Sequence, residues 1–141
     1  MRKQLPCLGT VSAHALVRIS LDFARLLLGL RSSFFPFATL AIGKQIDCVV
    51  CSDNEAAQGA LIEQLEWLIL ERSHQLDNAE SVLVYLAEQR LGPCPQEVLV
   101  VTFTRSYNQT QKYIYPLRRD ENGVSFGTPQ VIYRLTSLAR S

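Results

Sequence analysis

An α+β fold, with helices packed on one face of an antiparallel sheet, is what this sequence predicts, and three observations carry the prediction. Residues 97–105 (EVLVVTFTR) are rich in β-branched side chains, which suit a pleated, half-buried surface. Asn122-Gly123 separates two further runs of strand character, and both residues tolerate the positive φ of a tight hairpin turn. Across residues 52–73, Ala57, Leu61, Leu65, Leu68 and Arg72 recur at a helical period that no strand satisfies. The chain has 141 residues, 48% hydrophobic and 19% charged, which is the size and composition of a single domain with one real core.

The elements follow in order. In residues 1–35, a basic segment whose lone acid is Asp22, Leu16, Ile19, Phe23, Leu26, Leu27 and Leu30 fall on one side of a helix. His14, Arg18, Asp22 and Arg25 fall on the other, so the helix is amphipathic. Arg18, Asp22, Arg25 and Arg31 interrupt the roughly 20 apolar residues that a bilayer span requires. The apolar stretch also lies late for a secretory signal, and no clear cleavage site follows it. Three readings stand open for this segment: a core helix on the sheet, an Arg-rich transit segment, or an upstream extension or membrane-surface helix loosely attached to the fold. Residues 36–141 form the single α+β domain.

Residues 37–42 and 46–51 are short apolar runs joined by Gly43-Lys44-Gln45, the pattern of a β-hairpin. Ser52 and Glu55 have the spacing of a capping box at the start of the long helix. Ala60, Gln64 and Trp67 lie beside its stripe, while Glu63, Glu66 and Glu71 supply polar positions. Residues 81–87 (SVLVYLA) read as strand on Val82, Val84 and Tyr85, although Asp77 with Glu80 resembles a helix cap and Gly92-Pro93 a helix stop. Pro93-Cys94-Pro95 breaks the chain, and a meander over 97–105, 112–117 and 124–135 completes the sheet. Pro116 and Pro129 cannot donate to a ladder, which assigns each to an edge, a bulge or a strand end.

Formal charge is +1 overall but unevenly spread. Residues 1–46 carry six basic and one acidic side chain, residues 47–97 two basic and ten acidic, and residues 98–141 six basic and two acidic. Such a chain presents faces of opposite sign, which bears on partner choice more than on fold. Four cysteines, Cys7, Cys48, Cys51 and Cys94, fall far below the density of a secreted disulfide scaffold and predict free thiols in a reducing, cytoplasmic setting.

Motifs for chemistry are thin. Cys48-Val-Val-Cys51 before a helix has the form of a redox pair. Its spacer is strand-forming, however, no βαβ pattern surrounds it, and positions i and i+3 of a strand face opposite ways, so two buried structural cysteines account for it better. A zinc set of Cys48, Cys51, His74 and Cys94 lacks the second short ligand pair, so no metal site is expected. His14 and His74 have no nucleophile or metalloprotease context, and His74 at the end of the long helix suits its dipole instead. Gly43-Lys44 lacks the earlier glycine and the following hydroxyl residue of a phosphate loop. No catalytic residue and no cofactor are therefore predicted.

The richest stretch is 103–119, FTRSYNQTQKYIYPLRR. It mixes Phe103, Tyr107, Tyr113 and Tyr115 with Arg105, Lys112, Arg118 and Arg119. Two uses fit. Tyr and Arg are enriched at interface hot spots, so Arg105, Tyr107, Lys112, Tyr113, Tyr115, Arg118 and Arg119 would bind another protein, with the sheet edge beside Pro116 or Pro129 also open to a partner strand or to self-association. Alternatively the aromatic rings stack on the bases of single-stranded nucleic acid while the cations meet phosphates. Against both, Tyr113, Tyr115 and Leu117 alternate onto one strand face and fit a core. A small non-enzymatic interaction module is the leading expectation, with nucleic-acid binding second and an enzyme with an unrecognised site third.

Overall fold

The computed structural model describes residues 8–42, 45–50, 57–75, 80–91, 93–106 and 109–134. They form α1 (Leu8–Leu30), β1 (Phe37–Ile42), β2 (Gln45–Val50), α2 (Gln58–Gln75), β3 (Glu80–Leu91), β4 (Cys94–Ser106), β5 (Gln109–Asp120), β6 (Gly123–Phe126) and β7 (Gln130–Arg134). The strands make one antiparallel sheet in the order β2-β1-β3-β4-β5-β6, and β7 joins β5 on the same side as β6. The expected α+β class and antiparallel sheet hold. The capping box at Ser52 and Glu55, the Gly43-Lys44 link, and Cys7 and Cys51 lie outside the described residues, as do the side chains of His14 and His74.

Residues 81–87 are the middle of β3. Val82 and Val84 are wholly buried toward one face, and Leu83 fills the other, so the apolar run serves a strand covered on both sides. Pro93-Cys94-Pro95 does not break the chain. Leu91 pairs with Cys94 to close a tight hairpin, and Pro95 lies within β4 opposite Arg90. The expected single strand over 124–135 is two strands, β6 and β7, interrupted at residues 127–129. Pro116 explains the interruption. Its carbonyl accepts from Gly127 N–H at 2.9 Å, so its missing donor also points toward the gap, where no ladder bond is lost. At the β5–β6 turn, Asn122 N–H donates to the Asp120 carboxylate, and Gly123 takes the positive φ of 122°.

The helices do not share a face. Leu16 and Ala24 of α1 pack with Phe37, Val82, Val84, Leu99, Val101 and Phe103. Leu65 of α2, with Ile62 and Ile69, packs with Ala38, Leu40 and Leu83, the alternate residues of the same strands. Alternate residues of a strand point to opposite faces, so the sheet has one helix on each. The α1 stripe is also turned by roughly a quarter of a helical turn from the expected one. Leu16, Ser20, Ala24 and Leu28 face the sheet, whereas Ile19, Leu26 and Leu30 stay exposed. A polar residue, Ser20, occupies the buried stripe, and apolar periodicity cannot register it. Its hydroxyl donates to Leu16 C=O at 2.8 Å and lies 2.7 Å from the Thr39 hydroxyl on β1. On α2, Trp67 is 71% exposed, so it is no part of the core.

Candidate interaction surface

Of the seven residues singled out on β4 and β5, Tyr107 lies outside the described residues. The other six do not converge. Tyr113 and Tyr115 point to the α1 face, half-buried against its core cluster. Tyr115 packs on Tyr113 and on Phe126, with centroids 6.3 and 6.1 Å apart, and Arg25 of α1 lies over the Phe126 ring. These rings are thus occupied by one another and by a protein cation. Lys112 and Arg118, at alternate positions of β5, point to the α2 face. Arg105 pairs with the buried Glu80 carboxylate at 3.2 Å. Arg119 holds Glu97 through Nε and Nη2, at 3.0 and 3.1 Å, and donates from Nη2 to Ser32 C=O at 2.7 Å. That clamp fastens the segment between α1 and β1 to the sheet, and the Glu97 hydrogen bond pushes the Arg119 guanidinium further up.

Burial pushes the Tyr115 and Tyr85 phenols above their ordinary value, and Tyr113 and the Glu66 carboxylate, respectively, act in the same direction. A phenol raised in the folded chain contributes its full stabilisation below the unfolded value, about pH 10, and that contribution is lost as pH rises through the folded value. A spectrophotometric phenolate titration should therefore show Tyr85 and Tyr115 ionising late, with one late-ionising group fewer in Tyr115→Phe. Tyr115→Phe should also move the alkaline unfolding midpoint upward.

Thiol and metal chemistry find little structure. Cys48 is not the buried structural cysteine expected: it is free and exposed on the outer strand β2, as Cys94 is on β4, and partial desolvation pushes the Cys48 thiol up rather than toward thiolate. Among the described residues, no group of three or more His, Cys, Asp or Glu side chains is placed to hold a metal ion. No helix among them is long and apolar enough to cross a membrane.

What the fold does build is a cleft beside β3. Backbone N–H and C=O groups of an antiparallel strand point to one neighbour at one residue and to the other at the next. The Pro116–Gly127 bond fixes this phase for β5, and the strand registers carry it across the sheet. Even-numbered residues of β3 therefore point toward β1. But β1 begins at Phe37, opposite Val84, so Leu86, Glu88 and Arg90 point to a side where no described strand lies. Leu86 C=O instead accepts from the Gln58 amide of α2 at 2.7 Å, which confirms the phase. This open edge lies at a cleft of about 600 Å³. The cleft is walled by residues 31–36 on one side and by Gln58 and Leu61 of α2 on the other, and Glu97 lies within it. Glu97 is held by Arg119, and Arg31 and Glu88 also line the cleft beside the open main-chain edge. The sequence hides this feature, because only strand order and register reveal where β1 stops short of β3.

No family model, curated protein or solved structure gives a significant match to this chain, so its function is read from this geometry alone.

Proposed function

We propose that the protein is a small interaction module, non-enzymatic, that takes an extended segment of another protein onto the open edge of β3. One observation carries the reading: the β3 backbone beyond Val84 turns Glu88 outward along a groove whose two walls come from the α1–β1 segment and from α2, with the Leu86 carbonyl held by Gln58 and Arg90 following beyond the groove. A strand added there would continue the line of β1, gain main-chain hydrogen bonds, and read side-chain pockets with alternate residues. The tyrosine–arginine residues of β4 and β5 enter this reading as supports. Arg119 fixes one wall of the groove through Ser32, and Tyr113 and Tyr115 hold the sheet under α1.

Glu88→Pro tests it cleanly. Its N–H points into the groove and not to β4, so proline removes an edge donor without removing a β3–β4 bond. Peptides selected from a random display library on the full chain should lose at least tenfold in affinity for Glu88→Pro, while the variant unfolds at nearly the wild-type denaturant midpoint. In the wild type, bound peptide should slow amide exchange at Glu88 and Arg90. Selected peptides that bind Glu88→Pro equally well would sink the proposal, as would a selection that yields none.

A further inference from the structure

The same alternation identifies a second open edge, on the outer strand β2. Leu40 pairs with Asp47 and Ala38 with Val49, and these even-numbered residues of β1 point to β2. The odd-numbered residues of β2 therefore face β1, and Ile46, Cys48 and Val50 turn their N–H and C=O groups outward. No described strand meets them, since β2 stands at the end of the strand order. Their side chains share the α1 face and are left uncovered: Ile46 is 47% and Val50 49% exposed, and Cys48 is exposed as well.

Exposed edges are usually blunted by proline, lysine, a bulge or a short strand. The opposite edge of this sheet is interrupted at residues 127–129, with Pro129 before β7. β2 has none of the first three devices over Gln45–Val50; its one charge, Asp47, faces β1 in the ladder and takes a hydrogen bond from Gln45. The row is also self-complementary. An antiparallel pairing of β2 with its own copy about a two-fold axis at Cys48 sets Ile46 opposite Val50, Cys48 opposite Cys48, and Val50 opposite Ile46. Each is a hydrogen-bonded pair, so three pairs exchange two bonds apiece. Asp47 then lies opposite Val49 of the other copy, and no like charges meet across the seam.

We infer that the occupant of this edge is a second copy of the chain, joined through β2 into a continuous sheet across a two-fold axis. The contact is isologous and closes on itself, so it makes dimers rather than fibres. It is narrow, in the class of weak, concentration-dependent interfaces. It lies on β2, two strands from the β3 groove and facing the same side of the sheet, and it uses none of the groove's residues.

Sedimentation velocity on the full chain, from micromolar to millimolar, tests it. A monomer–dimer equilibrium is expected, with dissociation raised at least tenfold by Cys48→Pro, which removes the donor at the axis while leaving the β1–β2 ladder its bonds. Val50→Lys should act in the same direction, and its circular dichroism reports whether a variant has failed to fold. With Cys48 kept as the sole cysteine (Cys7→Ser, Cys51→Ser, Cys94→Ser), a short bismaleimide should trap the dimer, because paired Cα atoms at such a position lie about 5.5 Å apart. A monomer at every concentration overturns the inference. So does a dimer that neither folded variant weakens, or one that Cys48 does not cross-link. Glu88→Pro should dimerise as the wild type does, so failure at one edge is distinguishable from failure at the other.

Discussion

Phe37→Ala should lower the unfolding free energy by about 3–5 kcal/mol, the range for removing a buried phenylalanine side chain. Phe37 is wholly buried at the start of β1, with the Phe23 ring edge-on at 4.9 Å and Phe34 at 5.5 Å. It joins three parts of the fold: α1 through Phe23, the segment before β1 through Phe34, and β3 through its ladder partner Val84. Removal leaves a cavity that the sheet cannot close, because Val82, Val84 and Val101 beneath it are fixed by the ladder. Against a total of about 5–15 kcal/mol for a typical domain, such a loss consumes much of the stability. Urea unfolding followed by circular dichroism measures it. A change under about 1 kcal/mol would mean that α1 does not rest on this ring in solution.

The second large effect comes from the buried hydroxyl pair. Ser20 spends its proton on Leu16 C=O, so the Thr39 hydroxyl is the donor between the two. Ser20→Ala therefore strands a donor that is 1% exposed, at a cost of about 1–3 kcal/mol. Thr39→Val keeps the shape and leaves Ser20 bonded to Leu16, so it costs about 1 kcal/mol or less. Their combination should be more stable than Ser20→Ala alone, since no orphan hydroxyl remains. A double-mutant cycle by urea denaturation reads this directly, and strict additivity would show that the two hydroxyls do not meet.

The pairs that could be read from the chain are those that depend on neighbours in sequence. β-Branched residues marked β4, Asn122-Gly123 marked the β5–β6 turn, and the spacing of Leu61 and Leu65 marked the buried side of α2. Residues 81–87 were harder because a strand covered on both faces loses its alternation and resembles a helix segment. α1 misled for a related reason. It carries apolar residues around more than one side, and Ser20 occupies the position that decides which side is buried. The placement of the helices on opposite faces depends on which parity of β1 and β3 each helix meets, and nothing local encodes that. The alternation of Tyr113 and Tyr115 away from Lys112 was legible, and it is what divides the basic–aromatic stretch between two faces. The commitments of Arg105 to Glu80 and of Arg119 to Glu97 and Ser32 were not, because their partners lie 25, 22 and 87 residues away.

That last separation bears on how the chain is made. α1 leaves the ribosome early, yet its floor includes β4, and Phe126 at its flank is among the last described residues to be synthesised. β3, β4 and β5 follow one another as hairpins and can zip together as they emerge. The helix can meet Phe37 of β1 early, but the rest of its floor, from Val82 to Phe103, exists only once they have done so. Contacts that close across so much chain carry a high loop-closure cost, so the full docking of α1 is expected to follow the pairing of β3, β4 and β5.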